Sequence, residues 1–128
     1  MSVELVIIIP MLLLVVALVY AYARVALVNA NFEAGVRDAA RAASQSRSAG
    51  EAEETARRVV EQGVARQSPQ CLESLRIESI PDLTPGYVVT VQAECDYALS
   101  DLLVFVPGEV TVASQFSSPV DPNRGVTP

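Results

Sequence analysis

The residues of this chain that could do chemistry are two cysteines and a few acids, and their settings favour structural roles. Cys71 and Cys95 are accompanied by no histidine, which excludes the common zinc sites and histidine-based acid–base catalysis. Asp96 and Asp101 lack the spacing of a calcium loop. The chain also has no phosphate-binding glycine loop and no serine nucleophile motif. The sequence therefore predicts no enzymatic activity, no metal, no cofactor and no small-molecule substrate.

The two cysteines are predicted at the meeting ends of two strands. Cys71 opens a strand over residues 71–80, Cys95 lies near the end of a strand over residues 87–97, and segment 82–86 turns between them. A disulfide between these ends would close a loop of about 25 residues and stabilise the fold by about 3.5 kcal/mol in the chain-entropy model. Such a bond places the C-terminal half outside the cytoplasm, whereas two buried free thiols would fit a reducing compartment.

Glu4 is an acid directly before a long apolar run. Residues 5–23 carry no charge, and about 20 apolar residues span a bilayer. Pro10 lies inside the run, where it predicts a kink that a membrane helix tolerates. Tyr20 and Arg24 near its end are typical of a membrane interface. The run therefore predicts one transmembrane helix in contact with lipid.

Two other structures are compatible with an apolar run of this length, a buried core helix and a cleaved signal peptide. A buried core helix would need apolar segments around it, and the remaining sequence offers too few. A cleaved signal peptide would find a cleavage-like Ala-Tyr-Ala at residues 21–23, but it needs a basic start and a shorter apolar core. Because residues 1–4 carry Glu4 instead of a basic residue, a retained anchor is favoured.

The helix is predicted to continue beyond the membrane to residue 47. An apolar stripe follows Arg24 at three- and four-residue steps, with Val28, Phe32 and Val36 followed by Ala39 and Ala43. We expect a second helix and the sheet to cover the alanine part of this stripe. The part around Phe32 is expected to stay open for a partner helix, which makes Phe32 a candidate assembly residue beside Glu4.

Residues 48–128 are predicted to form a separate extracytoplasmic α+β domain, with residues 1–47 as the membrane and extended helix. Ser48 and Glu51 have the spacing of a capping box that starts a helix over residues 51–67. Alternating apolar residues then predict a three-stranded antiparallel sheet over about 71–80, 87–97 and 109–116. Residues 117–128, rich in proline and serine, are predicted to form a disordered tail.

Charge excludes one class of partner and leaves the orientation open. The nine basic residues and fifteen acids give a net charge of −6, which argues against nucleic acid as a partner. Four arginines lie in residues 24–47, directly after the apolar run, and none precedes the run. By the positive-inside rule this alone would place the C-terminus in the cytoplasm, opposite to the orientation that a disulfide implies.

The N-terminal sequence resembles the TadE-like minor pilins, or pseudopilins, of tight-adherence (Tad) pili. The resemblance rests on Val3, Glu4 and Pro10 in the apolar opening, and on the Ala/Arg-rich run 38–43. It implies a structural subunit that is anchored by a single helix, packs with other pilin-like subunits and acts in pilus biogenesis, adhesion or secretion. It places the C-terminal domain outside the cytoplasm, on the membrane or in the fibre. The alternative is a membrane-tethered or secreted binding module outside any pilus.

Glu4 has two interpretations, one local and one in assembly. A carboxylate at a helix N-terminus is favourable by about 0.3–1 kcal/mol, and it can also pair with the α-ammonium of a neighbouring subunit. The family's short basic leader ends in glycine, and its cleavage leaves glutamate as the fifth mature residue. Here no glycine precedes Glu4, which is the fourth residue. Three explanations fit this departure from the family pattern. The start of the chain was assigned downstream of the true one, the leader has already been removed, or this member of the family is not processed.

Overall fold

A computed structural model of the chain describes residues 3–67, 69–80, 86–102 and 107–123. It confirms the α+β class, with a long N-terminal helix, a shorter helix and a three-stranded antiparallel sheet. The elements in chain order are α1 (Val3–Ser44), α2 (Ala49–Ala65), α3 (Pro69–Ser74), β1 (Arg76–Ile80), β2 (Val88–Ala98), α4 (Leu99–Leu102) and β3 (Glu109–Pro119).

Helix α1 is one continuous element of 42 residues that runs through Pro10 without a break in the helix. At 1.5 Å per residue it is about 63 Å long. Its two halves have different surroundings, because the buried residues of α1 begin only at Phe32 and continue to Ser44. The first half therefore projects from the folded domain, and the second half is one of the domain's two main helices.

Helix α2 begins at a capping box, as predicted. The Ser48 hydroxyl accepts a hydrogen bond from the Glu51 backbone N–H at 3.3 Å, and the Glu51 carboxylate accepts one from the Arg47 N–H at 3.0 Å. The first bond satisfies an N–H group that the helix itself leaves unpaired, and the second holds the residue before the N-cap against the first turn. From this start α2 returns along α1, so that its last turns lie beside Phe32 and Gly35.

The sheet has the order β1-β2-β3, with both neighbours antiparallel to β2. Both long helices pack on one face, α1 over β2 and β3, and α2 reaching β1. The face of β2 toward the helices is fully buried at every second residue: Val89, Val91, Ala93, Cys95 and Tyr97. The opposite face is polar, with Arg76 paired to Glu94 at 2.8 Å and Thr111 donating to Asp96 at 2.6 Å.

The polypeptide around Cys71 is helical, where a strand was expected. Pro69 begins α3 and Cys71 lies within it, so β1 starts only at Arg76. Proline is favoured at the first position of a helix because the N–H that it lacks would be unpaired there. The change shortens β1 to five residues and leaves the end of β2 without a strand on its β1 side, whereas β3 pairs with β2 as far as Ala98.

The third strand extends into the region predicted as a disordered tail. β3 runs to Pro119, the Ser118 hydroxyl donates to the Ser44 hydroxyl at 3.1 Å, and Val120 is 2% exposed. The Val120 N–H donates to the Tyr87 carbonyl at 2.9 Å. Residues 124–128 of that tail and residues 82–85 of the predicted turn lie outside the described residues.

The prediction that Phe32 stays open for a partner helix is wrong. Phe32 is 3% exposed and belongs to the same buried cluster as Val60 and Val64 of α2. The sequence suggested that α2 covers only the alanine part of the stripe, but α2 runs alongside α1 as far back as Phe32. Phe32 is therefore a core residue, and Val28, the next apolar residue toward the membrane, also packs partly against this core.

Tyr97 is expected to make folding sensitive to alkaline pH. Its side chain is buried, its hydroxyl donates to Gln67 Oε1 at 3.4 Å, and burial raises its pKa above the ordinary value of 10.0. Above pH 10 the unfolded chain releases this proton more readily than the folded chain, so stability falls as pH rises. Urea unfolding at pH 8 and pH 11 should show a smaller loss for Tyr97→Phe than for the parent. An equal loss in both would contradict the assignment.

Candidate assembly surface

The first half of α1 is an exposed apolar surface on a helix long enough to cross a membrane. Its most apolar 18-residue window has a mean hydropathy of 2.8, and none of that window is buried within the chain. Burying a single leucine or isoleucine is worth about 1.5–3 kcal/mol, so an apolar surface of this size is not stable in water. The chain supplies no cover for it in the part that the structure describes, and lipid or other helices must do so.

Glu4 and Pro10 both lie on this exposed part of the helix. Glu4 is exposed in the first turn of α1, where the N-terminal end of the helix dipole favours a carboxylate. Among the described residues no side chain forms an ion pair or a hydrogen bond with Glu4. Glu4 is therefore available to a group from outside the described chain, and Pro10 lies two turns further along the helix.

A belt of interfacial side chains marks the end of the apolar part of α1. Tyr20 and Tyr22 are 59% and 77% exposed, and Arg24 is exposed one turn beyond Tyr20. Amphipathic rings and arginine are enriched at membrane interfaces. Arg24, the last residue of the belt, lies about two helical turns before Phe32, where the folded domain begins. Because the helix is continuous, it holds the domain close to the belt.

Cys71 and Cys95 lie away from this surface and are joined by a disulfide. The bond connects α3 to β2, the two Cα atoms are 5.1 Å apart, and both residues are fully buried. Tyr97, two residues after Cys95, donates a hydrogen bond to Gln67, which follows α2. Gln67 lies beside Phe32. The disulfide is therefore at the end of the domain that is nearer to the apolar half of α1. The bond therefore supports the fold at the end of the domain nearest the interfacial belt.

Nothing in the described residues forms a catalytic or metal-binding arrangement. Over the residues that the structure describes, no group of three or more acidic, histidine or cysteine side chains converges to hold an ion. Ser44, Gln45, Pro119 and Asp121 line a shallow cleft at the opposite end of the domain from Phe32. Ser44 is buried at the base of this cleft, and Asp121 is the one charged residue among these four.

Sequence reasoning missed a polar contact at the edge of the sheet. The Ser74 hydroxyl accepts a hydrogen bond from the Asp96 N–H at 3.0 Å and lies 3.2 Å from the Asp96 carbonyl oxygen, to which it can donate. Ser74 thus occupies the edge of β2 that β1 is too short to reach. No local sequence signal marks this role, because Ser74 and Asp96 are 22 residues apart and are brought together by the β1–β2 pairing and the disulfide.

Comparison with known proteins finds one family. The family model described as TadE-like protein matches residues 1–41, the part of the chain that forms the exposed apolar helix and the first turns covered by the domain. No curated protein and no solved structure matches the chain. The resemblance that the sequence suggested is thereby confirmed over residues 1–41. Residues 1–41, the N-terminal third of this protein, are similar to the TadE-like family.

Proposed function

We propose that this chain is a minor pilin or assembly subunit of a Tad-type pilus, with a structural role. The observation that carries the proposal is the exposed apolar half of α1, which coincides with the TadE-like match over residues 1–41. The same helix continues into the domain without interruption. A force or a contact on the exposed apolar half of α1 would thus be transmitted to the domain, because the helix is one continuous rod.

The proposed orientation places the domain outside the cytoplasm. Support comes from the disulfide between Cys71 and Cys95, because such bonds persist in oxidising compartments and are rare in the cytosol. The small domain also has reason to depend on a crosslink, since its buried core is built largely from alanine and valine. The arginines that follow the apolar run argue for the opposite orientation, so orientation is a direct target of the test.

The test follows the tagged full chain in bacteria that assemble the pilus. We expect the chain in the membrane fraction, its domain cleaved by protease added to spheroplasts, and co-purification with the pilin subunits after shearing or detergent extraction. Deleting the gene should reduce surface pili. A chain that inserts in the membrane, but neither co-purifies with pilins nor affects pili, would identify a tethered binding module instead.

Glu4→Gln is expected to reduce assembly without affecting the fold. A carboxylate beside the apolar layer is costly to desolvate, and pairing with a neighbouring α-ammonium would offset this cost better than the helix N-terminus alone. Losing about 1.4 kcal/mol of such pairing would lower recovery of the chain in pilin complexes about tenfold. Membrane insertion and the unfolding of the domain should not change.

Glu33→Gln is the matched control for Glu4→Gln on the same helix. Glu33 is exposed and pairs with Arg37 at 3.5 Å, an ion pair of the kind that contributes about 0–1 kcal/mol. Its neutralisation should leave recovery in pilin complexes near that of the parent. If Glu4→Gln is recovered as well as Glu33→Gln, Glu4 is a local helix cap and has no role in assembly.

A further inference from the structure

One face of α1 is partly covered on the membrane side of Phe32. Over residues 3–31 all residues of α1 are exposed except Ala21, Val25 and Val28, which are half-buried. These three residues and Phe32 follow one another at steps of four, three and four, so they lie on one face of the helix. The chain itself therefore covers this face as far down as Ala21, at the level of the interfacial belt and within the uncharged run 5–23.

The end of the domain beside this face is formed by α4 and the chain entering β3. Tyr97, near the end of β2, donates to Gln67, which lies beside Phe32. Helix α4 follows β2 directly and contacts α1. The Leu99 N–H donates to the Gly108 carbonyl at 2.8 Å, which joins α4 to the chain entering β3. We call α4 and Gly108 the proximal end of the domain.

The length of α1 fixes the level of this end relative to a membrane. Residues 5–23 rise about 28 Å, close to the ~30 Å thickness of the hydrocarbon layer of a bilayer. A headgroup layer adds about 5–8 Å on each side, and residues 24–28 rise about 7 Å. Because α1 is one continuous helix, its half-buried residues from Ala21 to Val28 extend from the edge of the hydrocarbon through the headgroup layer. The part of the domain that covers them lies at the same level.

The composition of the proximal end fits the headgroup layer. Ser100 and Gly108 are exposed and uncharged, and the half-buried side chain of Leu99 lies against Gly108. α4 also contains Asp101, and a carboxylate is costly in hydrocarbon. The headgroup level accommodates groups that combine apolar and polar parts, so it suits this end better than the hydrocarbon beneath it.

We propose that the proximal end of the domain is a lipid-binding surface, seated among the headgroups of the membrane that α1 spans. Lipid is the occupant because it surrounds α1 at the level of Ala21, so the part of the chain that covers Ala21 borders on lipid without any further partner. The proposal rests on the proposed function in one respect, the membrane anchor. It needs neither a pilus nor a particular orientation of the chain.

The lipid contact also determines which end of the domain faces away from the membrane. Ser44, at the cleft of the opposite end, lies about 31 Å further along the helix than Ala23. Two attachments, α1 and the proximal end, hold the domain at one tilt relative to the membrane, which a single helix does not. The cleft beside Ser44 is therefore the end presented to partners beyond the membrane surface.

Fluorescence quenching measures the depth of the proximal end in the full chain. The Ser100→Cys variant is labelled with a fluorophore in detergent without reductant, because the two native cysteines are joined in a disulfide. The labelled chain is then reconstituted in phosphatidylcholine vesicles that contain a lipid with a quencher on its headgroup. Phosphatidylcholine has no net charge, so electrostatic attraction does not contribute to the result.

Exposed positions along α1 and just after it provide the depth scale: Ala23→Cys, Asn29→Cys and Gln45→Cys. Asn29 and Gln45 lie about 9 Å and about 33 Å beyond Ala23. We expect quenching at Ser100 to equal or exceed that at Asn29, and to exceed that at Gln45 at least about threefold, because Gln45 is far above the headgroup layer. Quenching at Ser100 that is weaker than at Asn29 would overturn the proposal.

Photocrosslinking distinguishes lipid from a protein partner at the same surface. A photoreactive residue at position 100 of the chain should form crosslinks to lipid in the membranes of the producing cells. The same residue at position 45 is the matched control and should form none to lipid. Crosslinks from position 100 to protein alone would assign the proximal end to a protein partner and overturn the proposal.

The depth scale separates failure of this proposal from failure of the proposed function. An absence of quenching at Ala23 would refute the membrane anchor and, with it, both proposals. Quenching at Ala23 as expected, combined with weaker quenching at Ser100 than at Asn29, would refute the lipid contact alone. A chain that meets the expectation at Ser100 but does not co-purify with pilins would retain the lipid contact and refute the pilus role.

Discussion

Phe32→Ala should destabilise the domain by about 3–5 kcal/mol, the cost of removing a buried phenylalanine and leaving a cavity. Phe32 is 3% exposed and lies where α1 packs against Val60 and Val64 of α2. The measurement is the slowest hydrogen exchange of the β2 amides in the full chain in micelles, which reports global opening of the domain.

Leu27→Ala is the control that separates burial from assembly. Leu27 lies on the same helix, five residues closer to the membrane, and is 55% exposed. Truncating an exposed side chain changes stability by about 0.5 kcal/mol or less. If Phe32→Ala is as stable as Leu27→Ala, Phe32 is not part of the core and the packing of α2 against α1 described here is incorrect.

Loss of the disulfide is expected to lower the stability of the domain about as much as Phe32→Ala does. Cys71 and Cys95 are 24 residues apart in sequence, and opening a loop of this length costs about 3.5 kcal/mol in the chain-entropy model. The Cys71→Ala/Cys95→Ala double variant should show this loss in the same exchange experiment. Substituting both cysteines avoids an unpaired thiol, which would complicate a single variant.

Thiol labelling tests the same bond in the native chain. Both cysteines are fully buried and disulfide-bonded, so chain taken from the envelope without reductant should label neither residue, even in urea. After reduction in urea, both should label. Labelling of unreduced chain in urea would show free thiols in the cell, and it would remove the main support for placing the domain outside the cytoplasm.

Several features of this protein were determined by the sequence alone, because local interactions are sufficient to produce them. An uncharged run of membrane-spanning length is not stable when exposed to water, and the rest of the sequence offers too few apolar segments to bury it. The exposure of the first half of α1 within the chain was therefore predictable from residues 5–23 and the remaining composition. The Ser48–Glu51 box was equally predictable, since its hydrogen bonds close within a few residues. The alternation in β2 correctly identified its buried face, because the period of a strand does not depend on its partners.

The tertiary structure alone decided which apolar residues are covered and where the strands end. Phe32 looked open because its burial depends on how far α2 returns along α1, a contact between residues about thirty positions apart in sequence. Residues 117–119 were assigned to a disordered tail, yet β3 includes them, and proline is tolerated at position 119 because its missing N–H would point away from β2. The order of the strands in the sheet and the residues at which each strand ends are fixed by packing across the sheet and not by local sequence.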